Sequence, residues 1–199
     1  MSSYKIIYEV SQFLQALLWN GFAGDQTIKQ LVPSADSIVL MNPADTAKDT
    51  NRRLSLWLYQ VTPDEYLRNS PMQRVSGRDD LVQFPPLSID LCYLLTPSTG
   101  KPDGDQLVLG RAMQILNDSA VALLTSQEDA NSAEELHISM CQRSLQELAE
   151  VWEALQQPYH LSVCYEICCL RIDSTRTERA MRIGDRNQMY QNNPAGALV

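Results

Sequence analysis

The chain has 199 residues, 44% of them hydrophobic, and a net charge of −8, a length and balance typical of one globular domain with or without an arm. This acidity argues against general nucleic-acid binding, which needs a basic surface. The five cysteines suggest no disulfide framework, and with the lack of an export signal they predict a protein that folds in a reducing cytoplasm.

The N-terminal segment predicts a packing helix. Ile6, Val10 and Leu14 recur at helical spacing and place apolar side chains on one face. Charged and polar residues interrupt the segment before it reaches the roughly 20 apolar residues of a membrane span. Asn20 and Gly21 are typical of a helix end, so the helix is expected to stop there.

Strands and loops are predicted next. Residues 36–41 form a short apolar run, and residues 52–61 alternate apolar and bulky side chains with the period of a strand. Residues 62–83 are polar and predict a long loop. Residues 87–95 alternate again, after two prolines that suit the start of a strand.

The second predicted helix begins near Asp103, which stands three residues before Gln106 in the form of a capping box. Leu107 and Ile115 are expected on its apolar side, together with Arg111 and Ala112. Gly110 would cost about 1 kcal/mol relative to alanine inside a helix. A close backbone approach is the expected reason for that glycine.

The C-terminal half predicts two more strands and another helix. Residues 134–140 and 160–172 alternate like strands. Between them, Ser144 and Glu147 form a capping box that opens a helix, and its apolar stripe contains Trp152. The predicted fold class is therefore α/β or α+β, with helices packed on a mixed or antiparallel sheet.

The chain is predicted to consist of a domain over residues 1–172 and an arm over residues 173–199. The arm is slightly basic on an acidic protein and has no long apolar stripe. We expect it to order on a partner, either as a helix that clusters its arginines or as an extended strand added to a neighbour.

Histidine and cysteine near the C-terminal strand are the strongest candidates for chemistry. His160, Cys164, Cys168 and Cys169 are types of zinc ligand, but strand residues four apart lie about 13 Å from each other. The same distance separates His137 from Cys141 and argues against a nucleophile pair. No phosphate loop, serine elbow or dinucleotide turn occurs. We predict no catalytic residue, no metal and no cofactor.

The arginines are the candidate interface residues, because their planar guanidinium pairs with carboxylates and is enriched at protein interfaces. The residues predicted to lie at partner or oligomer interfaces are Arg52, Arg53, Arg74, Arg78, Arg171, Arg176, Arg179, Arg182 and Arg186.

Five segments in order carry a resemblance to a known family. They are "LSLWLYQVTPDEYLRN", "PPLSIDLCYLLTP", "GDQLVLGRAMQILND", "SLQELAEVWEAL" and "YHLSVCYEICCLRI". This set resembles the tail-terminator, or cap, proteins of extracellular contractile injection systems, and above all the N-terminal domain of the cap in virulence-cassette and antifeeding-prophage particles. The resemblance covers about residues 1–172.

The resemblance implies a phage tail-terminator-like fold and a structural role. Such caps form a six-fold ring on the last ring of the inner tube and meet the last sheath ring, where they end polymerisation and join tube to sheath. It also implies assembly in the bacterial cytoplasm as part of a phage tail-like particle, without nucleic acid and without membrane insertion. Some relatives continue further after the position of Ile172 than this sequence does.

Two other classes of function stay open from the residues alone. One is a small enzyme with a reactive cysteine, which thiol titration and metal analysis would reveal. The other is a monomeric adaptor that binds a partner peptide by strand addition, which oligomeric mass would distinguish from a ring.

Overall fold

A computed structural model describes residues 4–64, 71–74, 81–125 and 133–179. The chain divides into two compact units. The first unit consists of residues 1–70 and 86–173, and the second of residues 71–85 and 174–199.

Five helices and nine strands occur in the described residues. The helices are α1 Ile6–Ala23, α2 Gln26–Leu31, α3 Pro43–Thr46, α4 Pro102–Asp118 and α5 Leu145–Ala154, with a 3₁₀ turn at Ala35–Ser37. The strands are β1 Ile38–Val39, β2 Leu54–Pro63, β3 Gln73–Arg74, β4 Leu81–Gln83, β5 Leu87–Pro97, β6 Val121–Thr125, β7 Ala133–Met140, β8 Val163–Ile172 and β9 Thr177–Arg179.

The first unit is built on a six-stranded mixed sheet. Its strand order is β1-β2-β5-β8-β7-β6, in which β1 runs parallel to β2 and every other neighbouring pair is antiparallel. The pairing shifts register at two irregularities, one between Leu58 and Gln60 of β2 and one between Ile89 and Leu91 of β5. The predicted α+β class with helices packed on a sheet is confirmed.

The main core lies on the face of the sheet that α1 and α4 cover. Leu14 and Leu18 of α1 and Ala112 of α4 are fully buried there against Leu91 and Tyr93 of β5. The predicted apolar stripe of α1 is therefore the face that packs on the sheet. Within the described residues, no helix combines the length and the apolar character needed to cross a bilayer.

A smaller core lies on the opposite face of the sheet, beneath α5. Leu94, Trp152 and Cys164 are buried together, and the indole nitrogen of Trp152 donates to Ser162 Oγ at 3.1 Å. The capping box is present as predicted, because Ser144 Oγ accepts from the Glu147 amide while the Glu147 carboxylate accepts from the Ser144 amide.

The observed end of helix α1 differs from the predicted one. It continues through Asn20 and Gly21 to Ala23. Gly21 is needed for packing, since a Cβ there would lie 2.4 Å from Ile115 Cδ1 of α4. The glycine therefore allows α1 and α4 to approach closely, and it does not end the helix.

Helix α4 differs from the prediction in three details, namely its start, its buried face and the surroundings of its glycine. It begins at Pro102, and Asp105 accepts hydrogen bonds from the Thr99 amide and hydroxyl, both at 2.7 Å, in place of the predicted box. Leu107 is 51% exposed, so the buried face is rotated from the predicted one. Gly110 has open space around it within the described residues, so the close approach expected there does not occur in this chain.

Other predicted boundaries shift in the same way. The strand expected over 36–41 is only β1, after a 3₁₀ turn. Residues 62–83, predicted as one loop, contain the end of β2 together with β3 and β4. Strand β6 has no counterpart in the prediction, and β8 begins at Val163, three residues later than expected.

The second unit contains a three-stranded sheet in the order β3-β4-β9. Strand β9 pairs antiparallel with β4, so at 177–179 the arm has the extended form and not the helical one. It pairs with its own chain, whereas a neighbouring subunit was predicted. The Arg176 guanidinium lies 4.1 Å from the centre of the Phe84 ring, which fixes the start of β9 by a cation–π contact.

The two glycines of the helix pair predict opposite effects of the same substitution. Gly110→Ala should stabilise the fold by up to about 1 kcal/mol, because alanine is the better helix former and meets open space. Gly21→Ala should be less stable than Gly110→Ala by about 1–3 kcal/mol, since the added methyl group overpacks Ile115. Urea midpoints of the two variants and the wild type measure this, and equal midpoints for the variants would contradict the packing role of Gly21.

Candidate interaction surfaces

Two of the predicted interface arginines are held inside the first unit. Arg52 contacts Asp49 at 3.3 Å and Met41 Sδ at 2.8 Å. Arg53 donates from Nη1 to the Thr99 carbonyl at 2.8 Å, while its backbone joins the ends of β1 and β5. Both guanidinium groups therefore tie loops together within the chain, and Arg52 remains a third exposed.

Arg171 lies on β8 with its side chain exposed. It lines a shallow cavity of about 270 Å³ with four residues of β7, including Glu134, Glu135 and His137. Burial, followed by the charge of Asp173, raises the pKa of the Glu134 carboxyl above its ordinary value. The cavity is thus an acidic recess with one arginine at its border.

The second unit holds three of the predicted arginines among its described residues. Arg74 and Arg179 are exposed on β3 and β9, and Arg176 covers the Phe84 ring. Arg52 and Arg53 belong to the first unit. The remaining members of the predicted set, Arg78, Arg182 and Arg186, lie outside the described residues.

The cysteine-rich strand divides its side chains between a core and an open part of the sheet. Cys164 is buried beneath α5. His160 lies before β8 and packs its ring 5.1 Å from the Trp152 ring. Asp90, Glu166 and Cys168 bring possible ligand atoms within 4.8 Å of one another, all half-buried on neighbouring strands.

The thiols near α5 have the character of packing groups. Burial raises the pKa of Cys141 to about 12 and also raises the pKa values of Cys92 and Cys164. Tyr59 Oη donates to Cys164 Sγ at 3.7 Å. His137 lies on β7, where it contacts Glu135 at 2.9 Å and pairs in register with Cys168, and Cys141 follows the last residue of that strand.

A surface that sequence reasoning missed lies along β6. This strand is at one end of the six-stranded order, and Val121 and Leu123 are 60% and 65% exposed. Beside it runs a groove of about 950 Å³ between β6 and the first half of α1, lined by Tyr4, Lys5, Tyr8, Glu9, Gln12, Phe13, Leu124 and Thr125. The apolar run over residues 121–124 was the available sign of this strand.

Two solved structures are similar to this chain to different degrees. The PVC sheath/tube terminator in its extended state, from an extracellular contractile injection system, matches with a TM-score of 0.65 and 16% identity over 99% of this chain and 67% of that chain. The anti-feeding prophage cap, described as a tube terminating cap, matches more weakly, with a TM-score of 0.47 and 19% identity over 66% of this chain and 46% of the other. No curated protein matches the sequence significantly.

The sequence profile of one protein family covers most of the chain. The profile of the Pvc16 N-terminal domain matches residues 9–184. That span includes all five helices and all nine strands of the described structure, apart from the first residues of α1. The chain therefore belongs to the Pvc16 N-terminal domain family.

Proposed function

We propose that this protein is the terminal cap of a contractile injection system, which ends the growth of the inner tube and sheath and joins the two. The observation that carries the proposal is the family match over residues 9–184. The fold of a sheath/tube terminator, shared over nearly the whole chain, supports it.

The molecule has the properties that such a role requires. A rigid first unit with cores on both faces of its sheet can hold a fixed shape under load. Several large apolar side chains are exposed on it, including Tyr8, Leu107 and Leu123, and contiguous exposed apolar groups are typical of binding surfaces. A structural, non-enzymatic role is part of the proposal.

The finer parts of the proposal concern assembly. Copies of the chain form a closed ring, a hexamer, on the last ring of the tube, and the ring contacts the sheath. Assembly takes place in the bacterial cytoplasm, and the arginines on exposed positions, such as Arg74, Arg171 and Arg179, contact partners. Residues 173–199 are the arm that completes these contacts, while residues 1–172 form the wedge of the ring.

Deleting the gene should abolish the control of particle length. Without a cap, no protein blocks the growing end, so tubes or sheaths of uncontrolled length, or very few complete particles, are expected. Electron microscopy of particles from deletion and complemented cells measures the length distribution. A normal distribution and a normal yield in the deletion strain would refute the capping role.

The buried thiols should react slowly and only at high pH. Because burial raises the pKa of Cys141 to about 12 from an ordinary 9.0, thiolate is scarce in the folded protein at pH 8. The raised pKa also means that its stabilising effect is complete below pH 9 and is lost as the pH rises toward 12. Labelling of folded and urea-unfolded protein with an aromatic disulfide reagent, from pH 7 to 10, measures both rates.

Cys141→Ala is the matched variant for this measurement. It should remove one slowly labelled thiol and reduce the loss of stability above pH 9. Rapid, stoichiometric labelling of one thiol in the folded protein at pH 7, or a bound metal, would favour a cysteine-dependent enzyme over the cap.

A further inference from the structure

The first unit ends in a sheet edge that is open to strand pairing. In the described part of the chain, β6 pairs with β7 on one side and with no strand on the other. An open edge exposes a row of backbone donors and acceptors, which natural proteins cover, shorten or charge to prevent pairing. Residues 121–125 contain no charge and no proline, so β6 lacks these protective features and is suited to pairing.

The groove beside β6 provides places for side chains of an added strand. Leu124 points to the α1 face of the sheet and is buried, whereas Leu123 points to the other face and is exposed. A strand that pairs with β6 would alternate in the same way. Its side chains on the α1 face would enter the groove lined by Lys5 and Tyr8, and those on the opposite face would lie next to Leu123.

The second unit also ends in an open strand. Among the described residues, β9 pairs only with β4, and Thr177, Glu178 and Arg179 are all exposed. The cation–π contact of Arg176 with Phe84 and the bond from the Phe84 amide to the Arg176 carbonyl fix the strand at its start. The chain thus presents two different open edges, one on each unit.

The two units are opposite in charge. Residues 71–85 and 174–199 contain six arginines and four carboxylates, which gives +2, and the remaining residues carry −10 of the total of −8. On the face of Leu123, the residue paired with it across β7 is Glu135, whose side chain is more than half exposed. Arg179 of β9 and Glu135 beside Leu123 are therefore of opposite charge and can pair between two copies of the same chain.

We infer that β9 of one copy adds to the outer edge of β6 of the next copy and so links copies head to tail. In this pairing, Arg179 reaches over Leu123 toward Glu135, and Glu178 on the opposite face enters the groove beside Lys5. A contact between two different patches is heterologous. Copies joined by such a contact close a ring when the rotations from one copy to the next add up to a full turn. The inference rests on the proposed function in that copies must meet in a ring.

Cysteine cross-linking between two tagged variants tests this contact. Val121→Cys with one tag and Thr177→Cys with another are co-expressed with the other proteins of the particle, and each is also purified and mixed at high concentration. Both positions lie on the face of Leu123 and Arg179 in the proposed pairing, so mild oxidation should give a dimer that carries both tags. Leu123→Cys with Arg179→Cys is a second pair for the same edges and the same face, should either first variant melt below the wild type.

Matched variants separate this contact from collision. Gln146 is exposed on α5, and Gln146→Cys with Thr177→Cys should give less than a tenth of the two-tag dimer. Glu135→Arg and Arg179→Glu should each reduce the two-tag dimer several-fold, more strongly at low salt, and the two changes on separate chains should restore it. Absence of the dimer in both preparations, or equal yield from the Gln146 control, would overturn the inference.

The result is separable from the capping test. Particles of uncontrolled length in the deletion strain, together with no two-tag dimer, would leave the cap in place and overturn only this interface. A two-tag dimer whose yield is restored when the charges of residues 135 and 179 are exchanged would support the interface. If particle length in the deletion strain is normal at the same time, the cap is refuted.

Discussion

The burial of β5 on both faces is the constraint on which the rest of the structure depends. Leu91, Tyr93 and Leu95 are fully buried against α1 and α4, and Leu94 is fully buried beneath α5. Such a strand is stable only if two layers of helix cover it, because each leucine left exposed would lose about 1.5–3 kcal/mol of the stabilising free energy that burial provides. Its neighbours β2 and β8 extend the same two cores outward.

One hydrogen bond inside the larger core fixes how α1 lies on this strand. The Tyr93 hydroxyl and Ser11 Oγ lie 2.7 Å apart in a buried position, and Ser11 also donates to the Ile7 carbonyl. Burial raises the pKa of Tyr93 to about 12, so the phenol keeps its proton and its role as a partner. A buried polar pair of this kind favours one register of the helix over others of equal apolar area.

The sequence pattern was sufficient where one local rule controls an element. The alternation over residues 87–95 and the capping box at Ser144 each predicted what the structure has, apart from two further residues of β5, since neighbours in the chain determine them. Errors occurred where tertiary contact overrides the local rule. Gly21 suggested a helix end, yet it is a contact point for Ile115, and Leu107 has the apolar character of a core residue although it is half exposed.

The candidate surfaces were harder to predict than the fold, because they depend on which strand lies at the end of the sheet. The sequence analysis selected Arg52 and Arg53 because arginine is enriched at interfaces, but the guanidinium groups of both contact other residues of their own unit. Strand β6 has only five residues and follows α4 directly, and its four consecutive apolar residues lack the period of two that identifies a strand. Its position at the edge follows from the pairing of β7 with β8, which joins segments distant in sequence.

The ring that we propose depends on pairing between unlike edges. A contact between β9 of one copy and β6 of the next joins two different patches and favours head-to-tail addition, whereas pairing of β6 with β6 would make a symmetric pair that ends at two copies. The proposed contact joins a unit of charge +2 to a unit of charge −10, and this charge difference disfavours pairing between two acidic units. In such a ring each copy covers the outer edge of its neighbour's β6, an uncharged strand edge that would otherwise favour aggregation.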